Sequence, residues 1–310
     1  MRRMKLLIVG ASGFLGRNVL QVAEASGWDL VGTYHRSKTF PEVAKKHGCE
    51  AVRLDLLAPS RTWDADVCLY LAGNPDHRAS VLSPPDDLRL NAEALARFLD
   101  GFHGGLVLMS SAAVYDGHSG EVTPSAKLDP RWPYAISKFT AEQYVRWSLS
   151  IGRLRWATIL RLYYAYGPHD HVTRLVPRVL KAVEMRRREF VVTAPPGSLL
   201  DPLFAEDVAR AALAAARGQA KGETLDLCGG HPREVHEIVR EAVQILGVPM
   251  DVVEKPREDE RPVRFHSNPK TCRDRLGLGA FTTLPQGIQR TATWMASEIQ
   301  AGRAVDFKET

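Results

Sequence analysis

Lys5-Leu6-Leu7-Ile8-Val9-Gly10-Ala11-Ser12-Gly13-Phe14-Leu15-Gly16 runs an apolar segment straight into three glycines spaced G-x-x-G-x-x-G. A helical pattern follows, with Leu15, Val19, Leu20, Val22 and Ala23 on one side. The stretch reads as strand, tight turn and helix. Glycines let the backbone turn sharply and let a pyrophosphate approach the N–H groups at the helix start, where the helix dipole favours negative charge. A strand before and a helix after are the context that separates a dinucleotide site from an ordinary tight turn. Gly10, Ser12, Gly13, Phe14, Leu15 and Gly16 are the first candidate cofactor contacts.

Outward from this turn, the first half of the chain alternates. Asp29–Tyr34, Ala51–Leu54, Asp66–Ala72, Gly105–Ser110 and Trp156–Leu162 read as strands, and Leu88–Phe102 and Tyr134–Leu149 as helices. Such alternation implies an α/β fold, a Rossmann-type doubly wound parallel sheet with right-handed crossovers. Beyond residue 165, proline and glycine punctuate the pattern. Helical runs at Leu175–Met185, Ala205–Ala216 and Val235–Leu246 mix with short strands at Phe190–Thr193 and Thr224–Leu227. We expect a dinucleotide-binding domain over residues 1–165 and a smaller mixed α/β C-terminal lobe over 166–310, with 200–217 packing back on the first domain.

The 310 residues are 45% hydrophobic and 25% charged, ordinary for a globular protein. A net charge of +5 (41 basic against 36 acidic residues) is too mild to point to nucleic acid, and Arg186-Arg187-Arg188 reads as the solvated end of a helix. Cys49, Cys68, Cys228 and Cys272 are scattered, which disfavours a metal site or a disulfide scaffold and suits a reducing cytoplasm. Met1-Arg2-Arg3-Met4 resembles the start of a targeting segment, but the apolar run behind it ends at Gly10. No run of 18 apolar residues is present, so no membrane partner is expected.

In such sheets, ligands lie beyond the carboxyl ends of the strands. At the end of the second strand, an acid would bind the adenosine ribose hydroxyls. Here Tyr34-His35-Arg36-Ser37 offers no acid, and Arg36 and Ser37 suit a 2′-phosphate instead, so NADP is the expected cofactor and NAD the alternative. Asp55, with Leu56, is placed for the adenine, and Leu71, Ala72 and Gly73 form a small-residue ledge near the pyrophosphate. Tyr134 and Lys138, at i and i+4, share one helical face. A lysine ammonium beside a phenol lowers its pKa, so Tyr134 is the expected general acid or base. Ser110-Ser111 ends the fifth strand, with Ser111 expected to hold the same substrate oxygen and Lys138 the nicotinamide ribose.

At these motifs the chain resembles the extended short-chain dehydrogenase/reductases, specifically the NAD(P)-dependent epimerase/dehydratase branch of UDP-galactose 4-epimerase-type sugar enzymes. The resemblance covers most of the chain. Besides the glycine turn, Asp55 and Tyr134-x-x-x-Lys138, it rests on Ser110-Ser111-x-x-Val114-Tyr115 and on Leu160-Arg161 ahead of Tyr166-Gly167-Pro168. It continues through Phe204-Ala205-Glu206-Asp207-Val208-Ala209 and Arg275-Leu276-Gly277. It implies a Ser111–Tyr134–Lys138 triad, Asn91 on the nicotinamide side, and a homodimer through two long helices per subunit.

The departures bear on the substrate. Dehydratases of this branch carry Asp-Glu where this chain has Ala112-Ala113, so water elimination has no evident acid and base. Tyr164 stands where sugar-nucleotide members usually carry Asn, and Leu200 where they carry Arg; both positions normally touch the substrate diphosphate. Arg174, Arg178, Arg257, Arg261 and Arg264 are candidates to supply that charge, and Asn74, Ala112, Tyr164, His169 and Arg174 are expected to line the substrate cleft. The leading expectation is an NAD(P)-dependent enzyme that interconverts an alcohol and a ketone on a sugar or nucleotide sugar. The alternatives are an NADPH-dependent ketoreductase of another substrate, and a cofactor-binding sensor or scaffold that has lost catalysis.

Overall fold

The computed structural model describes residues 3–24, 27–58, 61–258 and 261–302. Met1 and Arg2 of the targeting reading, and residues 303–310 of the expected C-terminal lobe, lie outside the described residues.

Seven parallel strands form the central sheet: β1 (Lys5–Val9), β2 (Asp29–Tyr34), β3 (Cys49–Arg53), β4 (Val67–Tyr70), β5 (Gly105–Ser111), β6 (Trp156–Leu162) and β7 (Thr224–Leu227). Their spatial order is β7-β6-β5-β4-β1-β2-β3. The order reverses between β1 and β4, and a doubly wound sheet opens its ligand crevice at that reversal. The sheet does not stop at residue 165, because its edge strand β7 comes from the second half of the chain and pairs with β6 in parallel register.

Strand alternation builds two cores. Leu6 and Ile8 face one side, where Val19, Leu20 and Ala23 of the Phe14–Ala23 helix meet the alanine-rich helix Ala205–Ala216. Alanine side chains are small enough for this second helix to bury almost its whole circumference. Leu7 and Val9 face the other side, against Leu95, Phe98 and Leu99 of helix Ala94–Asp100 and Ala141 and Val145 of helix Pro133–Ser150.

The smaller lobe has its own core of Tyr166, Val176, Val179, Phe190, Val239 and Ile288. Helices Leu175–Glu184, Val235–Leu246 and Leu284–Gln300 surround it, and Glu189–Val192 pairs with Asp251–Glu254 in parallel. A short parallel pair, Tyr164–Tyr166 with Pro202–Phe204, leads the chain back into the Ala205–Ala216 helix and so onto the first core. One expected helix is interrupted. Leu88–Phe102 resolves into Pro84–Leu88, a π-helical turn over Arg89–Glu93, and Ala94–Asp100. The π turn holds Asn91 in the interior, where such turns often serve functional geometry.

Candidate active site

The glycine turn forms a cradle that side chains would fill. Gly10 has φ of +87°, and a Cβ there would lie 3.0 Å from the Ala72 nitrogen. A Cβ on Gly16 would lie 2.4 Å from the Gly10 carbonyl oxygen, so the helix can sit this close only without a side chain. The Gly10 N–H donates to Thr33 Oγ1 at 3.0 Å, which ties the turn to β2. Gly13 is the N-cap of helix Phe14–Ala23 and adds no side-chain cap, leaving the first-turn N–H groups for an anion. Ser12, Phe14 and Leu15 are half-buried, and the last two brace the cradle against the first core. Leu71 and Ala72 border it, with the Leu71 N–H donating to the Val9 carbonyl at 2.9 Å. These residues fit a dinucleotide pyrophosphate.

At the end of β2, the Tyr34 ring packs on Phe40 with centroids 5.5 Å apart. His35 and Arg36 are exposed beyond it and Ser37 is half-buried; no acid stands among them. Asp55 is exposed, and its Oδ1 accepts from the Leu57 N–H at 2.9 Å. That bond makes an Asx turn and leaves Oδ2 for a ligand. Leu56 is half-buried against the second core.

The structure brings Ser111, Tyr134 and Lys138 together at the end of β5. Pro133 opens the Pro133–Ser150 helix, where a missing N–H costs nothing, and Tyr134 and Lys138 follow on its inner face. Lys138 Nζ donates to the Met109 carbonyl at 2.8 Å; burial pushes its ammonium down to about 8 against the pull of Glu142 and Asp87. The Tyr134 phenol hydrogen-bonds Ser111. Burial raises its pKa, and the Ser111 bond and the Arg174 charge oppose that rise. The sequence assigned this opposing charge to Lys138. Lys138 keeps its positive charge while donating to a backbone carbonyl, and Arg174 adds a second positive charge that acts on the phenol.

Two aromatic neighbours were not legible beforehand. The His77 ring lies against Tyr134 at a 40° tilt with centroids 4.4 Å apart, and meets Trp132 edge-on at 4.7 Å. Although His77 is exposed as a residue, the protein packed around its ring and the charge of Arg174 push its imidazole down to about 4.

Several candidates take other roles. Asn91 is not free for the nicotinamide: Nδ2 donates to Asp87 Oδ1 at 2.8 Å and to Ser137 Oγ at 3.1 Å, and Oδ1 accepts from the Asn74 N–H at 2.8 Å. Asn74 is likewise held, by Asp87 and by the Asp76 N–H. These residues hold the loop after β4 against the Pro133–Ser150 helix. Ser110 turns its hydroxyl into the interior, to Glu142 at 2.7 Å, rather than to the cleft. Ala112 packs among Val114, Tyr115, Val122 and Phe265. His169 does not face the cleft: its backbone is left-handed, φ +68°, and its ring meets Trp294 at 4.9 Å on the Leu284–Gln300 helix.

Behind the triad runs a buried polar chain that sequence reading missed. Glu142 takes Arg161 in a fork at 3.0 and 2.8 Å; Arg161 Nη1 donates to Tyr115, and the Tyr115 hydroxyl donates to Asp226 at 2.7 Å. The signal available was Glu142, four residues beyond Lys138 and so on the same helix face, with Arg161 the one charged residue of the Trp156–Leu162 strand.

A glycine cradle at the crevice of a parallel sheet, facing Ser, Tyr and Lys, defines a dinucleotide-dependent enzyme of the extended short-chain dehydrogenase/reductase class. The model of the NAD dependent epimerase/dehydratase family matches residues 6–228, and the chain belongs to that family. It is 24% identical over 298 residues to the UDP-glucose 4-epimerase of Streptomyces lividans, covering 88% of this chain and 90% of that protein. It is also 24% identical over 321 residues to the dTDP-glucose 4,6-dehydratase of Mycolicibacterium smegmatis, covering 94% and 93%. A UDP-glucuronic acid 4-epimerase from Bacillus cereus, solved with UDP-glucuronic acid and NAD, shares the fold with a TM-score of 0.84 at 19% identity, over 95% of this chain and 99% of that one.

Proposed function

We propose that this protein interconverts an alcohol and a ketone on the sugar ring of a nucleoside-diphosphate sugar. The Ser111-bonded Tyr134 phenol above Lys138 is the observation that carries the reading. A nicotinamide dinucleotide in the glycine cradle supplies the carbon that accepts or returns hydride. Tyr134 moves the proton at the substrate oxygen, and Ser111 positions that oxygen. Burial keeps the phenol protonated in the free protein, so it is poised to donate to a ketone. Ala112 and Ala113 provide no acid–base pair for water elimination, which favours epimerisation or reduction over dehydration.

The diphosphate falls to Arg178 and Arg257 in this reading. Burial and the nearby positive charge of Arg257 hold the Arg178 guanidinium below its usual value. Two guanidinium groups that repel each other gain from an anion between them. Calorimetry is expected to show UDP binding that Arg257→Ala weakens by tenfold or more. Absence of UDP binding at millimolar concentration would instead support a ketoreductase of a substrate without a diphosphate, the reading that Tyr164 and Leu200 favour.

For the cofactor, exposed Arg36 and the lack of an acid beyond β2 support NADP over NAD. The expected result is at least tenfold tighter binding of NADPH than NADH, lost in Arg36→Ala. Stoichiometric NAD released on denaturing the purified protein would refute this preference.

The assembly we infer is a homodimer through the helices that carry Asn91 and Tyr134. Leu90, Ile136, Tyr144 and Trp147 expose 43, 43, 40 and 48% of their surface on these helices, more apolar surface than an unpartnered face usually presents. Sedimentation should give a dimer at micromolar concentration and a monomer for Trp147→Glu; a monomeric wild type would exclude this interface. Among the described residues no helix is long and apolar enough to cross a membrane. Four buried, unpaired cysteines are in keeping with a cytoplasmic enzyme.

A further inference from the structure

Three aromatic rings meet at the reacting centre, and local bonds fix the backbone behind two of them. His77 opens a short helix, His77–Leu82, beyond the loop that follows β4. Asp76 caps this helix: its Oδ1 accepts from the Arg78 and Ala79 N–H groups at 2.8 and 3.0 Å. The Asp76 N–H donates to Asn74 Oδ1 at 3.1 Å, and Asn74 is tied in turn to Asn91 and Asp87. Trp132 is fixed from the other side. Pro133 follows it and restricts it to extended backbone, found at φ −126° and ψ 151°. Next to it, the Arg131 N–H donates to Asp116 Oδ2 at 3.0 Å.

Both rings converge on Tyr134. Centroids are 4.4 Å apart for His77 and Tyr134, 5.6 Å for Trp132 and Tyr134, and 4.7 Å for His77 and Trp132. Among the described residues, neither Trp132 nor Tyr134 is a member of an apolar core in either lobe. The trio stands instead beyond the carboxyl ends of β4 and β5, the side of a parallel sheet on which ligands lie. His77 is exposed there and Trp132 is half-buried. An aromatic cluster outside the cores, held in place beside an acid–base group, leaves ring surface for a ligand to cover. The negative face of an aromatic ring attracts the positively polarised C–H groups of a sugar, and burying that face adds apolar area.

We propose that His77 and Trp132 form an aromatic wall that holds the reacting sugar ring by its C–H face, and so determine which rings present an oxygen to Tyr134. This rests on the reading of the cleft as a nucleoside-diphosphate sugar site. The wall acts on the sugar alone, since the diphosphate falls to Arg178 and Arg257 in that reading. It positions the substrate and takes no proton itself.

Calorimetry on protein loaded with NADP compares UDP-glucose and UDP-galactose with UDP. Trp132→Ala is expected to weaken the tighter-binding sugar nucleotide by about fivefold or more, the loss that one aromatic contact accounts for, while UDP stays within about twofold of wild type. His77→Ala is expected to act in the same direction, and it serves if Trp132→Ala does not fold. Trp132→Phe and His77→Phe keep a ring in place and are expected to retain most of the affinity. Tryptophan emission gives an independent signature: the sugar nucleotide, but not UDP, changes it in the wild type, and Trp132→Phe removes that change. Sugar-nucleotide binding that survives in both alanine variants overturns the proposal. So does a loss shared equally by UDP, which would place the wall against the nucleotide. A loss of NADPH affinity in place of sugar-nucleotide affinity overturns it as well, by putting the nicotinamide against the wall. Failure of the broader reading looks different: UDP itself does not bind the wild type, and the wall then has no nucleotide sugar to hold.

Discussion

Tyr134→Phe is expected to lower kcat by about 10²–10⁴-fold, the span that loss of a general acid or base produces. Cofactor affinity should hardly change. The phenyl ring keeps its place against His77 and Trp132, whose centroids lie 4.4 and 5.6 Å away, so the pocket keeps its shape. What disappears is the hydroxyl that hydrogen-bonds Ser111 and that would exchange a proton with the substrate oxygen. Because the loss falls on the transition state, kcat and kcat/KM should drop together. Absorbance at the nicotinamide band under single-turnover conditions is the measurement. Turnover within a few fold of wild type would mean that another group handles the proton.

The second large effect is on stability. Glu142 is fully buried and is gripped by Arg161 through a two-bond fork, with the Ser110 hydroxyl donating to the same carboxylate. Glu142→Ala leaves the Arg161 guanidinium charged and without its carboxylate in the interior. Removing one member of a buried ion pair costs about 3–5 kcal/mol, far more than the intact pair contributes. Chemical denaturation should show a loss of that order. The double variant Glu142→Leu/Arg161→Met should recover much of it, since no buried charge is then stranded. A loss below about 1 kcal/mol in the single variant would mean that water reaches the site.

Much of the architecture was legible in local patterns. The apolar strand into Gly10-x-x-Gly13-x-x-Gly16 depends only on backbone sterics and helix electrostatics, both of which act within a few residues. Alternating strands and helices dictate a parallel sheet because parallel strands need a crossover between them. The Tyr134–Lys138 spacing places both side chains on one helical face whatever surrounds them. For the same reason the contacts of neighbouring chain segments were not legible. β7 reaches the central sheet from residues 224–227, across the smaller lobe, and no local pattern encodes that pairing.

The site shows the same division. Sequence supplied Ser111, Tyr134 and Lys138 as residue types in a pattern, but not what they touch. Tertiary packing decided that Lys138 donates to Met109, that Ser111 bonds the Tyr134 phenol, and that His77 lies against its ring. It also bonded Asn91 and Ser110 to buried carboxylates, Asp87 and Glu142. Residues far apart in the chain meet only once the sheet has closed. Hydrogen-bond partners, burial and the fields that set proton affinities are properties of that assembly, whereas turns, helix faces and strand alternation belong to the chain itself.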